Sequence, residues 1–179
     1  MKKTLYAAIL VAMSGYMAPA SAVTISTTTP LGDLTGLAAS IGNTFGIADY
    51  GSSFSDLYTF ELSSVSQAVG TTVTINLTVG QNNFELSNMA IKLTDSTGTT
   101  TYAMDNSMDA SNALQLSVNL NAGTGYRFLV TGDVTGNLGG GYGGVLQAVP
   151  VPEAETYAMM LAGLGLVGFM ARRRTSMSV

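Results

Sequence analysis

The side chains that could do chemistry in this 179-residue chain are its acids and hydroxyls, because it contains no His, no Cys and no Trp. Asp105-Asn106-Ser107-Met108-Asp109 places three oxygen-bearing side chains and a hydroxyl in one loop, a donor set that suits a hard cation such as Ca²⁺. The loop lacks the Gly and the distal Glu of an EF-hand, so it reads first as an ordinary acidic turn, with Asp105 and Asp109 as weak Ca²⁺ candidates. No other cofactor is expected. Paired carboxylates can cleave glycosides, but these acids are spread over turns and no pair declares itself by spacing. The missing His removes the commonest general base, and the missing Cys removes thiol nucleophiles, His/Cys zinc sites and disulfides. Lys92 is the only lysine beyond Lys2 and Lys3, and Ile91-Lys92-Leu93 turns it outward on a strand as a solvated cation. No catalytic residue is assigned, and the chain is expected not to be an enzyme.

A second constellation is Phe54-Ser55-Asp56-Leu57-Tyr58-Thr59-Phe60. In a strand, positions 54, 56, 58 and 60 share a face, which sets Asp56 among three aromatic rings. A carboxylate there needs partners, since burying it alone costs several kcal/mol. The reading preferred from sequence starts the strand at Asp56, at the rim, with its oxygens accepting backbone N–H groups. A bridge to Arg127 and a bound Ca²⁺ are the alternatives.

The elements that must position these residues are strands. Val73, Ile75, Leu77 and Val79 alternate with polar residues, as do Leu114, Leu116, Val118 and Leu120, while Tyr126, Phe128 and Val130 alternate with Arg127, Leu129 and Thr131. Asp56 to Leu62, Phe84 to Thr94, Thr99 to Met104 and Gly143 to Val149 are further candidates. Asp95 to Gly98, Asn121 to Gly123 and Thr131 to Asp133 punctuate them as turns. Seven short strands without an amphipathic helix predict an antiparallel β-sandwich, jelly-roll or immunoglobulin-like, over residues 23–150. Thr on the solvent face of strands accounts for the Ser/Thr richness, with O-glycosylation or carbohydrate contact as the functional alternative. Residues 23–30, rich in Thr, read as an exposed leader, and the Gly139 to Gly144 run reads as a flexible turn before the last strand.

Charge is segregated. Lys2 and Lys3 open the chain, and Arg172, Arg173 and Arg174 nearly close it, leaving only Lys92 and Arg127 between. Nine of the eleven acids lie in 23–150, so that body is strongly acidic and has no phosphate-neutralising patch; nucleic-acid binding is excluded. Residues 1–22 read as a secretory signal peptide: a basic start, a short apolar run from Leu5 to Met13, and the small-x-small cleavage site Ala20-Ser21-Ala22.

At the other end, Pro150-Val151-Pro152-Glu153 leads into fifteen uncharged, mostly apolar residues, Tyr157 to Ala171, and then the three arginines. As a helix those fifteen span about 22 Å, short of the ~30 Å hydrocarbon core. Extension to Thr156 and snorkelling arginines make a transmembrane helix over 156–171 feasible, with the arginines cytoplasmic. Gly163, Gly165 and Gly168 weaken the helix and let a neighbouring helix approach.

Residues 151–174 resemble the PEP-CTERM sorting signal of Gram-negative bacteria, in the order Pro152-Glu153, Thr156, a Gly/Leu-rich span, and Arg172 to Arg174. Ala154 stands where that family usually has its second Pro. Phe54, Asp56, Tyr58 and Phe60 resemble the motif of its FxDxF subgroup, with Tyr58 in place of the second Phe. The resemblance implies recognition of segment 151–179 by an exosortase, an inner-membrane intermediate, removal of the tail, and delivery to the cell surface or extracellular matrix. The expected function is a non-enzymatic surface or matrix protein associated with exopolysaccharide and biofilm. A carbohydrate-binding module using Tyr58, Tyr126 or Tyr142 as stacking platforms, or a calcium-binding adhesion module, is the alternative. Ice binding is remote, because Thr71, Thr72 and Thr74, or Thr99 to Thr101, form no repeated flat array.

Overall fold

The structure, a computed structural model, describes residues 24–74, 77–79, 81–106, 113–151 and 154–175. The proposed signal peptide with Ala20 and Ala22, and the residues Pro152, Glu153 and Asp109, lie outside them. The described strands are β1 (Thr24–Asp33), β2 (Ala38–Phe45), β3 (Ser53–Leu62), β4 (Ser66–Thr74), β5 (Leu77–Val79) and β6 (Asn82–Phe84). They continue as β7 (Leu86–Thr94), β8 (Thr101–Asp105), β9 (Ala113–Leu120), β10 (Gly123–Val134) and β11 (Gly140–Pro150), and one helix follows, α1 (Ala154–Thr175). The strands form a five-stranded sheet in the order β1-β3-β10-β7-β8 and a four-stranded sheet in the order β2-β11-β4-β9. β5 and β6 make a separate small ribbon.

The two large sheets face each other across one apolar core. The alternation in β3 buries Phe54, Tyr58, Phe60 and Leu62, and that in β10 buries Tyr126, Phe128, Val130 and Val134. Ile91 and Leu93 of β7 complete this face. Opposite them, β2, β9 and β11 contribute Ile41, Phe45, Leu114, Leu116, Leu120, Tyr142 and Leu146. Phe54 packs on Phe45 at 4.5 Å between ring centroids and stacks on Tyr142 at 5.6 Å, so aromatic contacts cross between the sheets.

Several expectations need correction. The sandwich is not wholly antiparallel, because β1 runs parallel to β3 with Thr27 opposite Asp56. The segment expected to be an exposed leader is therefore the edge strand of the first sheet; its Thr-rich sequence suits a half-solvated strand as well as it suits a loop. β2 escaped detection because Gly42 and Asn43 interrupt its apolar alternation. Of the strand expected over 73–79, residues 73 and 74 end β4 and residues 77–79 form β5, while Ile75 and Asn76 lie outside the described residues; the strand expected over 84–94 breaks at Glu85.

The glycine run is no flexible turn. Gly140, Gly141, Gly143 and Gly144 lie inside β11, the strand held between β2 and β4. A Cβ on Gly144 would fall 1.9 Å from the Thr71 carbonyl oxygen, and one on Gly140 2.4 Å from Leu86 Cδ2. Glycine is needed there for close approach, whereas Gly143 has open space.

Candidate functional site

Asp56 sits mid-strand and fully buried, not at the rim, and side chains rather than backbone amides satisfy it. Thr27 of β1 donates its hydroxyl to Oδ1 at 2.5 Å. Asn43 of β2 donates Nδ2–H to Oδ2 at 2.9 Å, and Tyr142 of β11 donates its hydroxyl to the same oxygen at 2.7 Å. Register explains the convergence: Thr27 is the ladder partner of Asp56, and Asn43 that of Tyr142. One carboxylate thus ties two strands of the first sheet to two of the second.

The network extends through Tyr58. Its hydroxyl lies 2.9 Å from the Tyr142 hydroxyl, accepts the Gly42 N–H at 3.1 Å and lies 3.2 Å from the Gly42 carbonyl oxygen. Burial pushes the Tyr142 hydroxyl far above the ordinary tyrosine range, and its bonds to Tyr58 and Asp56 add to the shift. Tyr142 therefore stays protonated at any physiological pH and keeps donating to the carboxylate. The three groups around Asp56 all present hydrogens to it, the opposite of what a cation requires, so this site does not fit Ca²⁺. Nor does Arg127 bridge to it: the β10 alternation carries Arg127 to the outer face, while Asp56 points inward. The cluster is a neutral-donor clamp on a buried anion, built to hold sheets together.

The other candidates are not brought to it. Tyr58, Tyr126 and Tyr142 are 4%, 8% and 5% exposed, which removes all three as stacking platforms for a sugar. Tyr126 instead donates its hydroxyl to the Asn121 carbonyl at 2.9 Å. Asp105 ends β8 and accepts the Gln115 N–H at 2.8 Å, tying β8 to β9. Among the described residues no group of three or more acids that could hold a metal ion occurs. Thr27 and Asn43 are the participants that sequence reasoning missed. Both approach Asp56 across strands, so no local spacing marks them.

β11 delivers the chain to the C-terminal segment, where the Val151 N–H donates to the Val65 carbonyl at 3.0 Å. Thr156 and Arg172 to Arg174 lie on α1, a 22-residue helix longer than the expected 156–171. Its described side chains, from Glu155 to Arg172, are all exposed. Among the described residues no helix is long and apolar enough to cross a membrane. The transmembrane helix expected over 156–171 is therefore not shown: the polar Thr156 and the three glycines dilute an already short apolar stretch.

Comparison with known proteins bears on the two parts of the chain differently. No curated protein matches it. The pre-peptidase C-terminal domain of a collagenase from Bacillus anthracis, known from a crystal structure, is similar to the body of the chain at 17% identity and a TM-score of 0.44, covering 69% of this chain and 95% of that one. Residues 150–174 match the PEP-CTERM protein-sorting motif. This chain thus carries a PEP-CTERM sorting segment, the signal that implies an exported protein sorted by an exosortase through membrane-anchored processing.

Proposed function

We propose that the protein is a non-enzymatic component of the cell surface or extracellular matrix, delivered by exosortase processing and associated with exopolysaccharide and biofilm. The observation that carries this reading is the sorting motif at residues 150–174, joined without a linker to the last strand of a β-sandwich. The interior supports it: the one carboxylate buried among the described residues is fully engaged in cross-sheet hydrogen bonds, as suits a load-bearing module. We further read Phe54, Asp56, Tyr58 and Phe60 as the motif of the FxDxF subgroup. Its inward-facing positions then have a physical role, with the acid at the centre of the clamp, Tyr58 in its hydrogen-bond network, and Phe54 and Phe60 packed in the core. Val23 is proposed as the start of the mature chain, and a Gram-negative host is proposed with it. Intact mass of the protein from its host, with and without the exosortase, tests the reading. A chain ending near Pro152 that regains its tail in the exosortase-deficient strain supports it, together with weakened floc or biofilm cohesion on gene deletion. An arginine-bearing C-terminus in both strains, or an unchanged matrix, overturns it.

A further inference from the structure

The acidic body has two cations, and the fold brings them together. Lys92 of β7 and Arg127 of β10 alternate onto the outer face of the five-stranded sheet, on adjacent antiparallel strands. Lys92 stands opposite Leu129, and Arg127 opposite Thr94, so the two are diagonal neighbours about 7–8 Å apart at Cα. Both line one cleft of about 200 Å³ together with Leu57, Thr97 and Leu129. The β7–β8 hairpin closes one wall. There Gly98, at φ +79°, lets the Arg127 guanidinium lie so near that a Cβ would stand 3.0 Å from its Nη1.

Like charges set side by side repel, and the acid of the adjoining hairpin is already occupied. Asp95, nearest in the hairpin, accepts the Thr99 N–H at 2.9 Å and the Thr97 hydroxyl at 3.0 Å. Among the described residues neither Lys92 nor Arg127 has a side-chain hydrogen bond or an ion pair. Two cations lining one cleft with two leucines, and with a threonine hydroxyl at its edge, form a receptor for one oxyanion attached to a ring-sized apolar face.

We propose that this cleft binds the carboxylate of an acidic sugar unit in a uronate-bearing polysaccharide. Arg127 takes the carboxylate in its fork, Lys92 adds a point charge, and Leu57 and Leu129 carry the sugar ring. The choice of a polysaccharide as bearer of the carboxylate rests on the matrix reading above; the cation pair itself does not.

The exported protein recovered from its host is titrated with oligogalacturonate, with a neutral dextran oligosaccharide and with inorganic sulfate. Saturable binding of oligogalacturonate, weakening as salt rises and absent for dextran, is expected. Lys92→Gln or Arg127→Gln should each weaken it about ten- to a hundredfold, the loss of one charge-assisted contact, while the unfolding midpoint stays within a degree or two. Lys92→Arg should retain binding. No oligogalacturonate binding, equal binding of dextran, or binding unaffected by both Gln variants overturns the proposal. Sulfate binding without oligogalacturonate binding overturns it too, leaving a small-anion site. Failure of any of these leaves the intact-mass and matrix-location results untouched, so the two readings fail separately.

Discussion

Removing the Asp56 carboxylate should separate two contributions that the structure combines, the filling of its donors and its charge. In Asp56→Ala the Asn43 amide and the Tyr142 hydroxyl lose their common acceptor, while the exposed Thr27 hydroxyl can turn to water. Two hydrogen bonds to a charged group at about 1.5–3 kcal/mol each, partly offset by relief of the buried charge, give a loss of about 3–5 kcal/mol. That is a large share of the ~5–15 kcal/mol typical of a domain. Asp56→Asn behaves differently. An amide oxygen in the place of Oδ2 accepts from both Asn43 and Tyr142, and its NH₂ can donate to the Thr27 hydroxyl oxygen, so every partner is kept in neutral form. Its expected cost is about 1 kcal/mol. Urea unfolding of the full chain, followed by tyrosine fluorescence, should show a midpoint about 2 M lower for the Ala variant and little changed for the Asn variant. If Asn costs as much as Ala, the donor-satisfaction argument is wrong. If Ala costs under 1 kcal/mol, the clamp contributes nothing of note.

Other outcomes follow from particular contacts. Gly144→Ala, which drives a Cβ into the Thr71 carbonyl, should destabilise by more than about 2 kcal/mol or prevent folding, whereas Gly143→Ala should be tolerated within ~0.5 kcal/mol; thermal melts of the pair decide it. Thr72→Val should leave stability unchanged or raise it by up to about 1–2 kcal/mol in the same melts, because among the described residues Thr72 Oγ1 is the one buried side-chain polar atom without a partner. Burial pushes the Asp95 carboxyl up, but the Thr100 N–H and the hydroxyls of Thr97 and Thr99 outweigh it and hold it at about 2. Its folded value is depressed, so the hairpin's contribution is present above the unfolded value near 3.8 and lost as pH falls towards 2. Amide shifts of Thr99 and Thr100 should titrate in that window and nowhere above it.

The sequence showed most where a pattern is local. Alternation over Phe54 to Leu62 and Tyr126 to Val130 reveals two neighbouring central strands of the first sheet, since each strand buries one face and period two records it. The C-terminal signal is equally legible, being a linear order of residue types. What escaped lies across strands. Nothing near Asp56 in the chain announces Thr27 or Asn43, which reach it only because β1 lies parallel to β3 and β2 pairs with β11. The glycine run misled for a related reason. Glycine is the ordinary choice for a turn and also the only residue that permits the β4 backbone so close to β11, and composition does not distinguish the two. The Lys92–Arg127 cleft was half visible, in that each cation alternates outward; their adjacency came from the β7–β10 register.

The place of β11 has a consequence for how the protein is made. In its sheet the order is β2-β11-β4-β9, so the last strand to leave the export channel is the one that separates β2 from β4. Until residues 140–150 arrive, β2 has no partner strand among the described residues and β4 keeps an open edge, a hazard for mispairing with other chains. Long-range pairing of this kind is slow compared with hairpin formation, and here it must wait for the end of the domain. The matched sorting segment begins at residue 150, where β11 ends. Closure of the sandwich and emergence of the address are consecutive events along the chain, and a truncated chain that stops short of β11 gains neither.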